Sequence, residues 1–291
     1  MKKENNVLEE TLAIAAHGYE KAYQFLLEEY ARNNEAYGPQ TLYFLSCLAG
    51  GAEMPQKALD WLRKAIEEKG WWYRPEVLED DDLAALRNNE EFHRLKSLSD
   101  QRYEQAVSKT KVVFSWKRKS ANHLFLAVHG NTQNAEIARE DWSSILGDSD
   151  QWQLETVQSG EPDGYGTYRW SYDSISYIPV AKAIEQVQKE GYEKIVCGGF
   201  SAGCDMLLRS ILYTDARCDE LVLQSPWIPI LEEHAAELFD AVKEKGVKLK
   251  ILCGSCDEDC LPMAKQLYKL MNVPGMEVEL VIQEGNRHQF P

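Results

Sequence analysis

The chain has 291 residues, 44% of them hydrophobic, and 47 acidic against 32 basic side chains give it a formal net charge of −15. That length holds two domains or one large one, with enough apolar content for a sizeable core. The acidic balance argues against nucleic acid and against anionic membrane surfaces as partners, since both need basic patches. Met1-Lys2-Lys3-Glu4-Asn5-Asn6 carries no apolar run of the signal-peptide kind, and no stretch is long enough to span a bilayer, so the expected location is cytoplasmic. Seven cysteines, an odd number without a secretion signal, argue against a disulfide framework. Cys253, Cys256 and Cys260 have metal-like spacing, but Cys253 ends a predicted strand and the set has no counterpart elsewhere. A structural zinc wants four ligands, so no metal is expected.

Residues 8–107 read as helix throughout. Leu8, Leu12, Ile14 and Ala15 open an amphipathic stretch, and Ala22, Phe25, Leu26 and Tyr30 continue at helical spacing. Leu42, Leu45 and Leu48 follow, and after Gly50-Gly51 comes a helix with Ala58, Leu62, Ala65 and Ile66. Ala22-x-x-x-Leu26 and Ala58-x-x-x-Leu62 lie 36 positions apart, near the period of a helix-turn-helix repeat. The segment 58–66 resembles the second helix of a tetratricopeptide repeat, and 81–92 resembles the ending of such arrays. That resemblance covers about residues 40–96 and implies a helical domain over 1–109, through which a protein partner or self-association is open. Trp71-Trp72-Tyr73 is its most apolar loop-like stretch, expected to dock against the second domain, with a ligand surface as the alternative.

Composition shifts after Lys109-Thr110-Lys111. The segments 112–116 and 123–128 are β-rich, with a turn at 119–122 between them. From there strands at 154–157, 194–197, 221–223, 249–253 and 278–282 alternate with helices near 176–190, 203–214, 229–244 and 261–272. Such alternation implies an α/β domain over 110–291, with a mainly parallel sheet covered on both faces.

One stretch organises that domain. The apolar run from Ile195 meets Gly199-Phe200-Ser201-Ala202-Gly203, and an apolar helical pattern follows, which is Gly-x-Ser-x-Gly between a strand and a helix. A serine hydroxyl becomes a useful nucleophile when a sharp turn holds it beside a base. The backbone N–H of Ala202 would then face the oxygen that becomes negative in acyl transfer. The competing reading is a glycine-rich turn whose serine caps the helix.

His129-Gly130-Asn131 closes the strand at 123–128 and resembles the oxyanion loop of α/β-hydrolases. The resemblance assigns the second donor to the Asn131 backbone, with Gln133 as a side-chain contributor and His129 structural. Gly254-Ser255-Cys256-Asp257 resembles the turn that carries the acid in the same superfamily, with Asp259 as the alternative. Gly285-Asn286-Arg287-His288 resembles the turn that donates the base, although the chain ends so soon afterwards that little is expected to hold it down. Four matching places over residues 110–291 make this an α/β-hydrolase resemblance, nearest to the compact carboxylesterase and phospholipase type.

That resemblance implies a Ser201–His288–Asp257 triad acting on a small acyl substrate through an acyl-enzyme, with no cofactor and no metal. The aromatic run at 165–172, with Tyr165, Tyr168 and Trp170, is a candidate pocket wall and equally a surface loop. A serine peptidase for small peptides would use the same triad. A catalytically silent interaction protein is the alternative from another class, against which the intact Ser201, Asp257 and His288 argue.

Overall fold

The computed structural model describes residues 4–114, 116–147 and 150–291. They form two compact units. One comprises 1–110 together with Pro162–Gly166, and the other 111–161 together with Thr167–Pro291. Sequence reasoning placed 162–166 with the α/β domain. That short segment instead belongs with the helices, because Tyr73 bridges to Gly164 and Arg74 Nε donates to Asp163 Oδ1 at 2.9 Å.

The helical unit contains α1 (Glu4–Ala15), α2 (Tyr19–Arg32), α3 (Pro39–Gly51), α4 (Pro55–Arg63) and α5 (Glu90–Lys109). Its core takes in Ala22, Leu26, Leu42, Leu45, Ala58, Leu62 and Ile66, which are the periodic positions of the sequence. Proline opens both α3 and α4, where its missing N–H costs nothing. The run 71–73, expected to dock against the second domain, finds its partners within the helical unit. Tyr73 is buried, Trp72 packs on Tyr103, and Trp71 stacks on Tyr165 at 6.3 Å.

The second unit has the strands β1 (His123–Val128), β2 (Trp152–Val157), β3 (Glu161–Gly164, all but its first residue grouped with the helices), β4 (Thr167–Arg169), β5 (Lys194–Phe200), β6 (Glu220–Gln224), β7 (Lys248–Gly254) and β8 (Val278–Gln283). Its helices are α6 (Ala135–Leu146), α7 (Ser174–Gln188), α8 (Ala202–Tyr213), α9 (Ile230–Lys245) and α10 (Cys260–Met271). Six strands form one sheet in the order β2-β1-β5-β6-β7-β8, parallel throughout. Among the described residues of 112–116 no strand forms where one was expected. Ser115 lies outside the described residues, and Val113 makes only an isolated bridge to Gln158. Val112, Phe114 and Trp116 instead pack on the core as an apolar strap.

Burial follows the period-two alternation of a strand. Leu124, Leu126 and Val128 of β1 face a core shared with α7, α8, α9 and α10, whereas Phe125 and Ala127 face a smaller one built on Trp142 and Phe290. Both faces are covered, which is the usual condition of a parallel sheet.

The topology also fixes where chemistry can sit. The chain leaves β1 toward β2 on one side and later enters β5 on the other, so β1 and β5 flank a switch point at their carboxyl ends. Val128 pairs with Gly199, which sets His129-Gly130 beside Phe200-Ser201. Gly254 pairs with Gln283, which brings the loops carrying Asp257 and His288 out side by side.

A Cβ on Gly203 would lie 2.5 Å from the His129 carbonyl oxygen and 2.6 Å from that of Val128, so α8 can meet β1 this closely only with glycine there. Both clashing atoms are backbone and cannot swing aside. Gly203→Ala should therefore cost about 1–3 kcal/mol in urea denaturation, the usual range for overpacking. A variant as stable as the parent would refute the close approach.

Candidate active site

Ser201 stands at the junction of β5 and α8 with φ 51 and ψ −123, a conformation that non-glycine residues rarely adopt. Holding it costs about 1–3 kcal/mol, which the surrounding structure must supply. Its backbone supplies part of that restraint. The Ser201 N–H donates to the Gln224 carbonyl at 3.0 Å, and its own carbonyl accepts from Cys204 N–H at 3.0 Å and Trp227 N–H at 3.3 Å. The Ser201 side chain makes no capping hydrogen bond to α8, so the structure gives no support to the helix-cap reading. Gly199 lets the turn close, since a Cβ there would come within 2.8 Å of Cys204 N. Ala202 is the first residue of α8, where a backbone N–H has no intrahelical acceptor.

Beside this turn lies the loop after β1. His129 is fully buried, and the Ser159 N–H donates to its Nε2 at 3.1 Å. That leaves the proton on Nδ1, which donates to the Gly130 carbonyl at 2.7 Å. Burial pushes its pKa down to about 4 against the pull of the Gly130 carbonyl, so the ring is neutral and fully engaged as a strut. The Asn131 carboxamide oxygen accepts from Trp170 N–H at 2.8 Å, and the Tyr172 hydroxyl also bonds to the Asn131 side chain. Gln133 is buried, its Oε1 accepts from Gly130 N–H at 2.9 Å, and its Nε2 has no partner among the described residues. A Cβ on Gly130 would touch both the Gln133 oxygen and the Ser201 Cβ, at 3.3 and 3.2 Å, which shows how tightly the loop hugs the serine.

The third loop carries the acids. Asp257 is 3% exposed, and the His288 Nδ1–H donates to its Oδ2 at 3.0 Å. Its Oδ1 accepts from Cys260 N–H at 3.1 Å, and the Ser225 hydroxyl bonds to it as well. Burial alone would raise the Asp257 pKa, but the His288 bond and charge, with these other donors, outweigh it and hold the carboxyl below its ordinary value. Asp259, the alternative acid, is exposed at the N-cap of α10. The geometry thus joins Asp257, not Asp259, to His288.

The loop of His288 is better fastened than its place near the chain end suggests, which corrects the expectation from sequence. Phe290 is buried with ring centroids 5.1 Å from Phe200 and 5.0 Å from Trp142, and the His288 ring lies 5.1 Å from Phe200. The Asn286 carbonyl accepts from Cys256 N–H at 2.9 Å, and the Gln289 carbonyl from Gln224 Nε2 at 3.2 Å. Phe200, the neighbour of Ser201, therefore sits under the histidine.

The proposed pocket wall divides. Trp170 is buried against the His129 ring at 4.8 Å, and its indole N–H donates to the His129 carbonyl at 2.7 Å, so it backs the loop from inside the core. Tyr165 groups with the helical unit. Tyr168 is half-buried and its N–H donates to the Gln133 carbonyl at 2.8 Å. Sequence reasoning missed Ser225, a serine just after a strand, and read Cys260 only as one of three metal-spaced cysteines, not as a neighbour of His288. Ser225 has φ 45, a further positive value beside the site.

Residues 3–107 match a family described as the A/B hydrolase-like, N-terminal domain. No curated protein sequence matches the chain. Among solved structures, an uncharacterized protein from Bacillus cereus ATCC 10987 is 29% identical, with 100% of this chain and 94% of that one covered and a TM-score of 0.54. The Bacillus cereus carboxylesterase is 16% identical over 66% of this chain and 92% of that one, with a TM-score of 0.46. Zea mays acyl-protein thioesterase 2 is 15% identical over 62% and 92%, with a TM-score of 0.41. At these levels the last two carry no argument about substrate.

The His129 geometry makes a pH prediction. The folded ring resists protonation while a free one titrates near 6.5, so the unfolded chain binds the extra proton first and stability falls as pH drops from about 6.5 toward 4. In NMR spectra the His129 ring resonances should hold their neutral positions down to about pH 5.5, given a folded midpoint of about 4. A midpoint near 6.5, the value of an unperturbed ring, would contradict the buried strut.

Proposed function

Because the six-stranded parallel sheet, the strand–Gly-x-Ser-x-Gly–helix turn and the N-terminal match make the chain a member of the α/β-hydrolase superfamily, we propose that it is a serine hydrolase cleaving carboxylic esters. The observation that carries this reading is Ser201 held at φ 51 and ψ −123 with no capping bond, in the same unit as a buried Asp257–His288 pair. Strain of that kind is kept where the chain needs a side chain aimed at one point.

In the proposed mechanism His288 Nε2 takes the proton from Ser201 Oγ as the oxygen attacks the acyl carbonyl. Asp257 holds the Nδ1–H, fixes the tautomer and stabilises the imidazolium. The backbone N–H groups of Asn131 and Ala202 receive the oxyanion, and the return of the proton releases the alcohol. Water, activated by the same histidine, then frees the acid. Fixed donors of this sort contribute about 3–4 kcal/mol each when aimed at the developing charge. Gln133, through its bond to Gly130 N–H, holds the loop that presents Asn131.

All seven cysteines are unpaired, which fits a reducing compartment and a cytoplasmic enzyme. Among the described residues no helix is long and apolar enough to cross a membrane. The tetratricopeptide-like helical unit takes no part in this chemistry and is assigned to a protein partner or to self-association.

Ser201→Ala should lower p-nitrophenyl ester turnover by about 10⁴-fold or more, the scale of deleting a triad nucleophile. Full turnover in that variant would sink the proposal, and a parent that turns over neither esters nor small peptides would point to a silent scaffold.

Asp257→Asn should fold normally yet lose about 10⁴-fold in turnover through the wrong histidine tautomer. Asp259→Asn should stay within an order of magnitude of the parent. The reverse ranking would make Asp259 the orienting acid.

A further inference from the structure

The turn that carries Asp257 holds more sulfur than a hydrolase triad uses. Cys260 Sγ lies 3.4 Å from His288 Nδ1, the same nitrogen that donates to Asp257 at 3.0 Å. One nitrogen therefore has two neighbours of different chemistry. Orienting the ring needs only the carboxylate, so the thiol is unexplained by the proposed mechanism. Asp257 and Cys260 stand three residues apart at the start of α10, both buried, and the His288 side chain is 29% exposed, which leaves a path from solvent. The carboxylate oxygen, the sulfur and the ring nitrogen all lie within 4.8 Å of one another. Cys253 Sγ is a further 3.8 Å from Asp257 Oδ2.

Oxygen, sulfur and imidazole nitrogen together make a donor set suited to zinc, which takes three protein ligands and an open fourth place in many sites. The cysteine trio that the spacing suggested is not this set, because Cys256 is exposed and turned toward Ser255. We propose that Asp257, Cys260 and His288 form an inhibitory site for a thiophilic divalent cation, with zinc as its natural type. This rests on the triad reading only for its inhibitory effect.

The protons balance as follows. The cation takes the place of the proton on His288 Nδ1 and of the proton on the Cys260 thiol. The thiol proton leaves to solvent. The neutral ring keeps one proton, which moves to Nε2. A metallated His288 thus presents Nε2–H toward Ser201 where the mechanism needs a lone pair, and the base is disabled without any change of fold. Removing the ion reverses each step, with no oxidant or reductant involved.

The test uses the full chain purified free of metal. Zinc is titrated in calorimetry and, in parallel, against p-nitrophenyl ester hydrolysis, and cobalt(II) is titrated while following its thiolate charge-transfer absorption. About one ion per chain should bind through the three ligands, hydrolysis should fall by about tenfold or more as the site fills, and chelation should restore it. Cys260→Ser and Cys260→Ala should bind zinc at least about tenfold more weakly and lose the cobalt absorption, since loss of even an outer partner costs that much. Cys256→Ser should bind as the parent does. Binding and absorption unchanged in both Cys260 variants, or no stoichiometric binding by the parent, would overturn the proposal. Because binding is read without turnover, a parent that binds zinc through Cys260 yet hydrolyses nothing would overturn the triad reading and leave the metal site standing.

Discussion

The structure depends on one close approach, where the turn between β5 and α8 presses against the end of β1. Gly199 and Gly203 make it possible, since a Cβ on either would strike backbone within 3 Å. The contact leaves Ser201 in a strained conformation, and the Gln224 carbonyl, Cys204 N–H and Trp227 N–H hold it there. The His129 strut continues the same constraint. Its ring spans from Gly130 to Ser159, and Trp170 covers it from behind. Each of these bonds is buried, so each loses more by breaking than it would at a surface.

Parallel pairing carries the constraint across the sheet. β6 separates Ser201 from the loops after β7 and β8, and its end supplies both Gln224, which binds Ser201 N–H and the Gln289 carbonyl, and Ser225, which meets Asp257. One residue pair thus ties the serine side of the site to the acid–histidine side. Phe290 adds the apolar part of the same fastening by filling the space between Phe200 and Trp142.

Much of this was legible in the residues. The strand-to-helix setting of Gly199–Gly203 located the elbow because glycines and a short apolar run leave few other local structures. The alternation from residue 123 onward pointed to a parallel sheet for the same reason. What stayed hidden was set by tertiary contact. The segment 112–116 has β-rich composition, but its described residues find no strand to pair with beyond one bridge. The choice between Asp257 and Asp259 needed burial, because two acids in one turn differ only in which points inward. Residues 162–166 read as part of the α/β domain until Arg74 and Tyr73 claimed them. The thiol of Cys260 beside His288 could not be read at all, since the two are 28 positions apart.

The central claim is that Ser201 is the atom-bearing nucleophile, and the most direct measurement is to trap the intermediate it forms. The full chain would be mixed with p-nitrophenyl acetate, quenched in acid during the first turnovers, digested and sequenced by tandem mass spectrometry. The account predicts an acetyl group on Ser201, present at early times and gone once substrate is exhausted. Ester turnover with the acetyl group on another residue, or with no adduct in the peptide holding Ser201, would contradict it.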